Sequence, residues 1–230
     1  MARSFSLVEA KVAEADFFLA KLEEAGTNFF AARCYFSAFI ASARSITFAL
    51  QAAMKDVPDF QDWYSLKQGE LGADPVCRFF HHARRLDQHL GINALSGGAL
   101  TSNLGEARVI YHLAAADRRE GLPDPPNVDA VAACHRYFDT LLKVVLDCCS
   151  DFRRSIDPKV WFTKENFDGM GQTIGDAEEE LYGVRGWTAV PGVPEEARWQ
   201  MIRNSVWSAD LEMLFMRQIQ PGEDKGRPSD

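Results

Sequence analysis

The chain has 230 residues, 47% of them hydrophobic and 25% charged, with a formal net charge of −8. That length supports one substantial core, or a core with an appendage, and the composition is that of an ordinary globular protein. The acidic balance excludes broad electrostatic attraction to nucleic acid. No apolar run reaches the ~20 residues a bilayer span needs, and "MARSFSLVEAKVAEADFF" lacks the apolar core and cleavage site of a secretory signal.

A cytoplasmic location with no membrane association is expected, and cysteine usage agrees. The five cysteines (Cys34, Cys77, Cys134, Cys148, Cys149) include no CxxC pair and read as small thiols in a reducing compartment. No metal or cofactor is indicated. The negative charge is uneven: residues 157–230 carry 8 Lys/Arg against 14 Asp/Glu, residues 1–156 carry 17 against 19. A local basic patch in the first two-thirds is therefore not drowned out.

In chain order, "SLVE" opens the first helix with the capping-box spacing of Ser6 and Glu9. Val8, Val12, Ala15, Leu19 and Leu22 follow at steps of four and three, and Gly26 is placed to end it. A second helix, residues 28 to about 55, repeats the pattern through Ala32, Phe36, Phe39, Ala43, Ile46 and Leu50. Its further aromatics (Phe29, Phe30, Tyr35, Phe48) imply burial on more than one side. Arg44 follows Ala43 on this buried helix and requires a counter-charge, a ligand phosphate or a route to water.

After Pro58 a short amphipathic segment, "DFQDWYSLKQGEL", is stopped by Gly72. "ADPV" restarts the chain, with Asp74 as cap and Pro75 at the first helical position, and Gly91 closes the helix. Residues 91–126 form a loop-rich insertion. "SGGALTSNLG" reads as loop, "ARVIYHL" fits a strand or a helical turn, and "GLPDPPN" is a breaker. The last strong helix runs from near Asn127 to about Ile156 with the stripe Val131, His135, Phe138, Leu142, Val145, Cys149 and Phe152. On that stripe His135 reads as a hydrogen-bonded core residue.

The expected fold is all-α: an antiparallel helical bundle over 1–156 with an irregular, partly β insertion, and a C-terminal helical extension over 157–219 packed on it. The extension holds a short helix around Gly175–Tyr182, whose acids Asp176–Glu180 read as an exposed helix start rather than a metal site. It then holds a helix with Trp199, Ile202, Val206, Leu211 and Leu214 as packing residues. Residues 220–230 read as a disordered tail. No phosphate loop and no Ser-His-Asp elbow is present.

Chemistry concentrates in "HHARRLDQHLG" (81–91). At 100° per residue, Val76, Phe79, Ala83, Leu86 and Leu90 share the core side, while Arg78, His82, Arg85 and His89 stack opposite. Arginine forks match phosphate oxygens and histidine moves a proton near neutral pH, so the cluster suits holding and cleaving a phosphodiester without metal. The other reading is the solvated face of a bundle helix, with Arg and His favoured near its C-terminal end.

"ARRLDQH" (Ala83–His89) resembles the Arg-x4-His signature of HEPN domains, helical-bundle proteins often found as toxin ribonucleases or nucleotide-binding partners. "FFAARCYFSAFIASARSITFALQ" and "WYSLKQGELGADP" resemble an uncharacterised bacterial HEPN-like group, over roughly residues 6–92 and the helix at 127–156. The resemblance implies that Arg84 contacts phosphate, that His89 is catalytic, and that a homodimer pairs two motifs in one cleft. Arg85, Arg78 and His82 would add phosphate or RNA contacts. The chain departs from the pattern at Arg85, where such domains commonly carry a small polar residue; this either strengthens phosphate binding or marks a lineage without cleavage. Arg85 lies only about 40° from His89 on the wheel and is an alternative partner for it.

Two functions follow as expectations. One is a metal-independent endoribonuclease, or an RNA- or nucleotide-binding component of a toxin–antitoxin or defence system with a protein antitoxin as partner. The alternative is a non-catalytic helical module that binds a protein partner.

Overall fold

Alternating apolar steps and end caps produce the helices of the first part of the chain. In a computed structural model that describes residues 5–103, 106–114 and 124–206, α1 (Ser6–Glu24) buries Val8, Val12, Ala15, Leu19 and Leu22, the residues of its predicted stripe. α2 (Phe29–Met54) is capped by Asn28, whose side chain accepts from the Ala31 N–H, and it buries Phe36, Phe39, Ile40, Ala43, Ile46 and Leu50 among others. α3 (Phe60–Ala73) buries only Phe60 and Tyr64. α4 (Pro75–Leu90) begins on the Asp74 cap, which accepts from the Val76 and Cys77 N–H groups. It ends on Gly91 at φ 66°, a left-handed turn that glycine adopts without a Cβ clash.

α5 (Ala130–Asp151) closes this part through an aromatic cluster. Phe80 of α4 stacks on Tyr137 of α5 at 4.7 Å and 8°, and Phe39 of α2 meets Phe80, Tyr137 and Phe138 edge-on. His135 is half-buried and paired with Glu23 of α1, so its partner is a carboxylate at the edge of the core.

The insertion differs from its reading as a loop. β1 (Leu95–Asn103) and β2 (Glu106–Leu113) form an antiparallel two-stranded sheet, irregular in register between Leu95 and Gly97. A run rich in Gly and Ser has little strand propensity of its own, so the partner strand decides. Gly98 faces Tyr111, and a Cβ there would lie 3.3 Å from the Tyr111 ring, so the glycine allows the close approach. The Tyr111 hydroxyl donates to the Gly26 carbonyl and Asp129 accepts from its N–H, fixing the hairpin's base. The described residues are thus all-α with a minor β insertion, as the sequence predicts.

Contacts divide the chain at Val145/Leu146, within α5, rather than after Ile156, and Phe5 and Ser6 join the later unit. That unit contains α6 (Arg153–Ile156), α7 (Pro158–Trp161), α8 (Lys164–Gly169), α9 (Ile174–Tyr182) and α10 (Glu195–Ser205). Its core is Phe162, Phe167, Ala177, Trp199 and Ile202. Leu211, Leu214 and the tail at 220–230 lie outside the described residues.

The acidic run in α9 is only partly the exposed helix start expected of it. Asp176 closes a capping box with Thr173, but Glu178 is fully buried. Its carboxylate accepts from the Gly186 N–H, the Thr188 N–H and hydroxyl, and Arg198 of α10 at 3.0 Å. An i, i+1 run of acids cannot all face water on a helix, and Glu178 falls on the side of buried Ala177 and Trp199.

Two outcomes test this packing. Phe80→Ala removes the ring at the centre of the aromatic cluster and is expected to cost about 3–5 kcal/mol in urea unfolding; a loss under about 1 kcal/mol would place the core elsewhere. Burial alone pushes the Glu178 carboxyl up, but the bonds from Thr188, Arg198 and Gly186 more than offset it and hold it down at about 2. Its stabilisation is therefore complete above the usual carboxylate range near about 4.3 and is lost as pH falls toward about 2. Tryptophan fluorescence is expected to report acid unfolding of this unit, with Glu178→Gln less stable than wild type at pH 7 but by a smaller margin at low pH.

Candidate functional site

Four helices of the Leu7–Val145 unit wall a small cavity. α2 contributes Arg44, α3 Tyr64, Gln68, Leu71 and Gly72, α4 Cys77 and His81, and α5 Tyr137 and Leu141; the space is about 240 Å³. It has room for several waters or a small anionic group. Among the described residues, no Asp or Glu lines it.

Each wall residue is placed by the packing just described. Tyr137 is held by its stack on Phe80. Burial pushes its phenol well above the ordinary value, so it stays a neutral O–H donor. Tyr64 is buried, and its hydroxyl accepts from Gln51 at 3.1 Å. Cys77 is no nucleophile: burial, with Asp74 nearby, pushes its thiol up to about 12.

Arg44 is the charge that the sequence left in need of a partner. Its Nη1 donates to Thr47 at 2.7 Å and its guanidinium lies over Phe48 at 4.6 Å. Its Nε is buried with no hydrogen-bond partner, and the Nε of Arg84 is in the same condition. His81 stands beside both. Burial first, then Arg44, Arg84, Arg85 and His82, hold its imidazole below its usual 6.5. Asp87, the one acid of α4, does not relieve them, because it accepts from Ser37 at 2.7 Å while Asn93 donates to the Ser37 hydroxyl at 2.8 Å.

The predicted site residues separate into two groups. Arg78, Arg85 and His89 are exposed and His82 is half-buried, all on the side of α4 away from the core; an Arg85 nitrogen lies 3.4 Å from His82 Nδ1. Arg84 instead reaches the inner edge beside Arg44 and Tyr137. Arg84 and His89 are not brought together, being about 140° apart around the helix. His81, Tyr64, Gln68 and Tyr137 were not singled out from sequence. Arg44 gave the available signal, as an arginine amid apolar residues. Among the described residues no three His, Cys, Asp or Glu side chains converge to hold a metal ion.

The fold and cavity define a helical protein with a recess that carries one arginine, beside a solvent-facing basic edge. Residues 8–96, which span α1 to α4 and the start of β1, match the family model of bacteriophage lambda protein ea47. No curated protein and no solved structure matches the chain. The ea47 match overturns the resemblance to HEPN domains, since Ala83–His89 lies inside it. An Arg and a His five positions apart recur on many amphipathic helices, which is why the short motif misled. The composite cleft between two copies, the toxin role and the antitoxin partner lose their ground with it.

The electrostatics give a direct outcome. In an NMR titration His81 is expected to have its midpoint below 6.5, and Arg44→Gln is expected to raise it. Because the unfolded chain takes up this proton first as pH falls, neutral His81 lowers stability on the acid side. A midpoint at or above 6.5 in the wild-type protein would contradict the placement of the arginines.

Proposed function

We propose that this protein binds phosphate groups of single-stranded RNA along the outer edge of α4. The observation that carries the reading is the outer edge itself: Arg78, Arg85 and His89 are exposed there with His82 beside Arg85, and the one acid of α4, Asp87, accepts from Ser37 instead. Like charges gathered at a helix edge repel one another, and an anionic ligand relieves that repulsion. From Arg78 to His89 the edge extends about 16 Å at 1.5 Å per residue, room for a few consecutive phosphates.

The overall charge of −8 does not oppose this, since screening beyond about 8–10 Å leaves the local cations dominant. Cleavage is not included in the proposal. A base at His89 needs a charge-stabilising arginine on the same phosphate; Arg84 is turned to the inner edge of its helix, and Arg85 lies against His82. We place the binding in the cytoplasm.

Anisotropy with a labelled, unstructured RNA checks the reading. Binding is expected to weaken with salt, and Arg78→Ala with Arg85→Ala is expected to reduce the slope of log K against log salt by about 1.4, two contacts at about 0.7 each. Absence of RNA binding at low salt would instead favour the helical module that binds a protein partner.

A further inference from the structure

The cavity beside α4 is more than a widening of its basic edge. We propose that the recess walled by Arg44, Tyr64, Gln68, His81 and Tyr137 is a binding site for a terminal phosphomonoester, so that the protein reads the phosphorylated end of an RNA strand. The strand belongs to the function proposed above, and this inference rests on it for that part; the phosphate site is separately testable.

Size comes first. The recess has room for a phosphoryl group with its ester oxygen and ordered water.

Charge comes second. A phosphomonoester carries about −1.5 to −2 near neutral pH and offers three terminal oxygens, where a diester carries −1 and offers two. The recess supplies the guanidinium of Arg44, a phenol kept protonated on Tyr137, the amide of Gln68 and the imidazole of His81. These are donors, with no acid among the wall residues to compete for them. Burial and the arginines disfavour the charged form of His81, and an arriving dianion opposes that shift.

Continuity comes third. His81 is four residues from Arg85 on one helix, about 40° around the axis, so a strand that follows Arg78, His82 and Arg85 reaches the mouth of the recess within one turn. The other groups facing His81 are Arg44 from α2, Tyr64 from α3, and Cys77 and Arg84 from α4.

The test uses the full chain and three RNAs of one sequence, with a 5′-phosphate, a 3′-phosphate or hydroxyls at both ends. The expected result is that one phosphorylated RNA binds about tenfold tighter than the hydroxyl form, the effect of a single charge-assisted hydrogen bond. Arg44→Gln and His81→Ala should each abolish that difference, so that the phosphorylated RNAs bind no tighter than the hydroxyl form. Inorganic phosphate should compete with the end-phosphorylated RNA alone. Equal affinity for all three RNAs in the wild-type protein overturns end recognition. If no RNA binds, the strand reading fails by itself, and the His81 NMR signal decides the recess. A downfield shift on adding inorganic phosphate, absent in Arg44→Gln, keeps the phosphate site, and no shift overturns it.

Discussion

The stack of Phe80 on Tyr137 is the contact on which the arrangement depends. It fixes the rotation of α4 against α5, and Phe39 of α2 closes the cluster from a third side. Helix rotation decides which residues of α4 are inside. With Phe80 inward, Cys77 and His81 fall on the recess, Arg84 reaches the inner edge, and Arg78, His82, Arg85 and His89 face out. The same stack holds the Tyr137 ring as a wall. Aromatic burial and basic surface are therefore two consequences of one helix orientation.

Such a site has a cost that the aromatic core offsets. Two buried guanidinium nitrogens without partners each weaken the fold by the ordinary penalty for unpaired polar groups. A contrasting solution appears in the C-terminal unit, where Glu178 is fully buried and accepts from Gly186, Thr188 and Arg198. Glu178 fixes the loop after α9 onto α10 and leaves nothing for a ligand. Arg44 has only Thr47 and the face of Phe48. The difference between a saturated buried charge and an unsaturated one separates a structural node from a binding site.

Much of this was legible in the sequence because it depends on short-range chemistry. The α4 boundaries follow from Asp74, Pro75 and Gly91, and its outer face from the steps between Arg78, His82, Arg85 and His89. The β1 strand was not legible, since Gly97 and Gly98 read as loop until Tyr111 lies across from them. Glu178 was hidden among neighbouring acids because burial of one member of a charge run is decided by Thr188 and Arg198, ten and twenty residues away. His81 was missed for a related reason: it lies between the outer stripe and the inner edge, and only packing against α2 and α5 shows that it meets Arg44. The Arg-x4-His pattern led toward Arg84 and His89, residues that the helix itself turns apart.

A crystal structure grown with an end-phosphorylated RNA examines the assignment most directly. The expected density is a phosphate within hydrogen-bonding distance of the Arg44 guanidinium and the His81 imidazole, with the adjoining nucleotide along Arg85. A recess filled by a carboxylate of the chain itself paired with Arg44, or a phosphate bound only elsewhere, would contradict it.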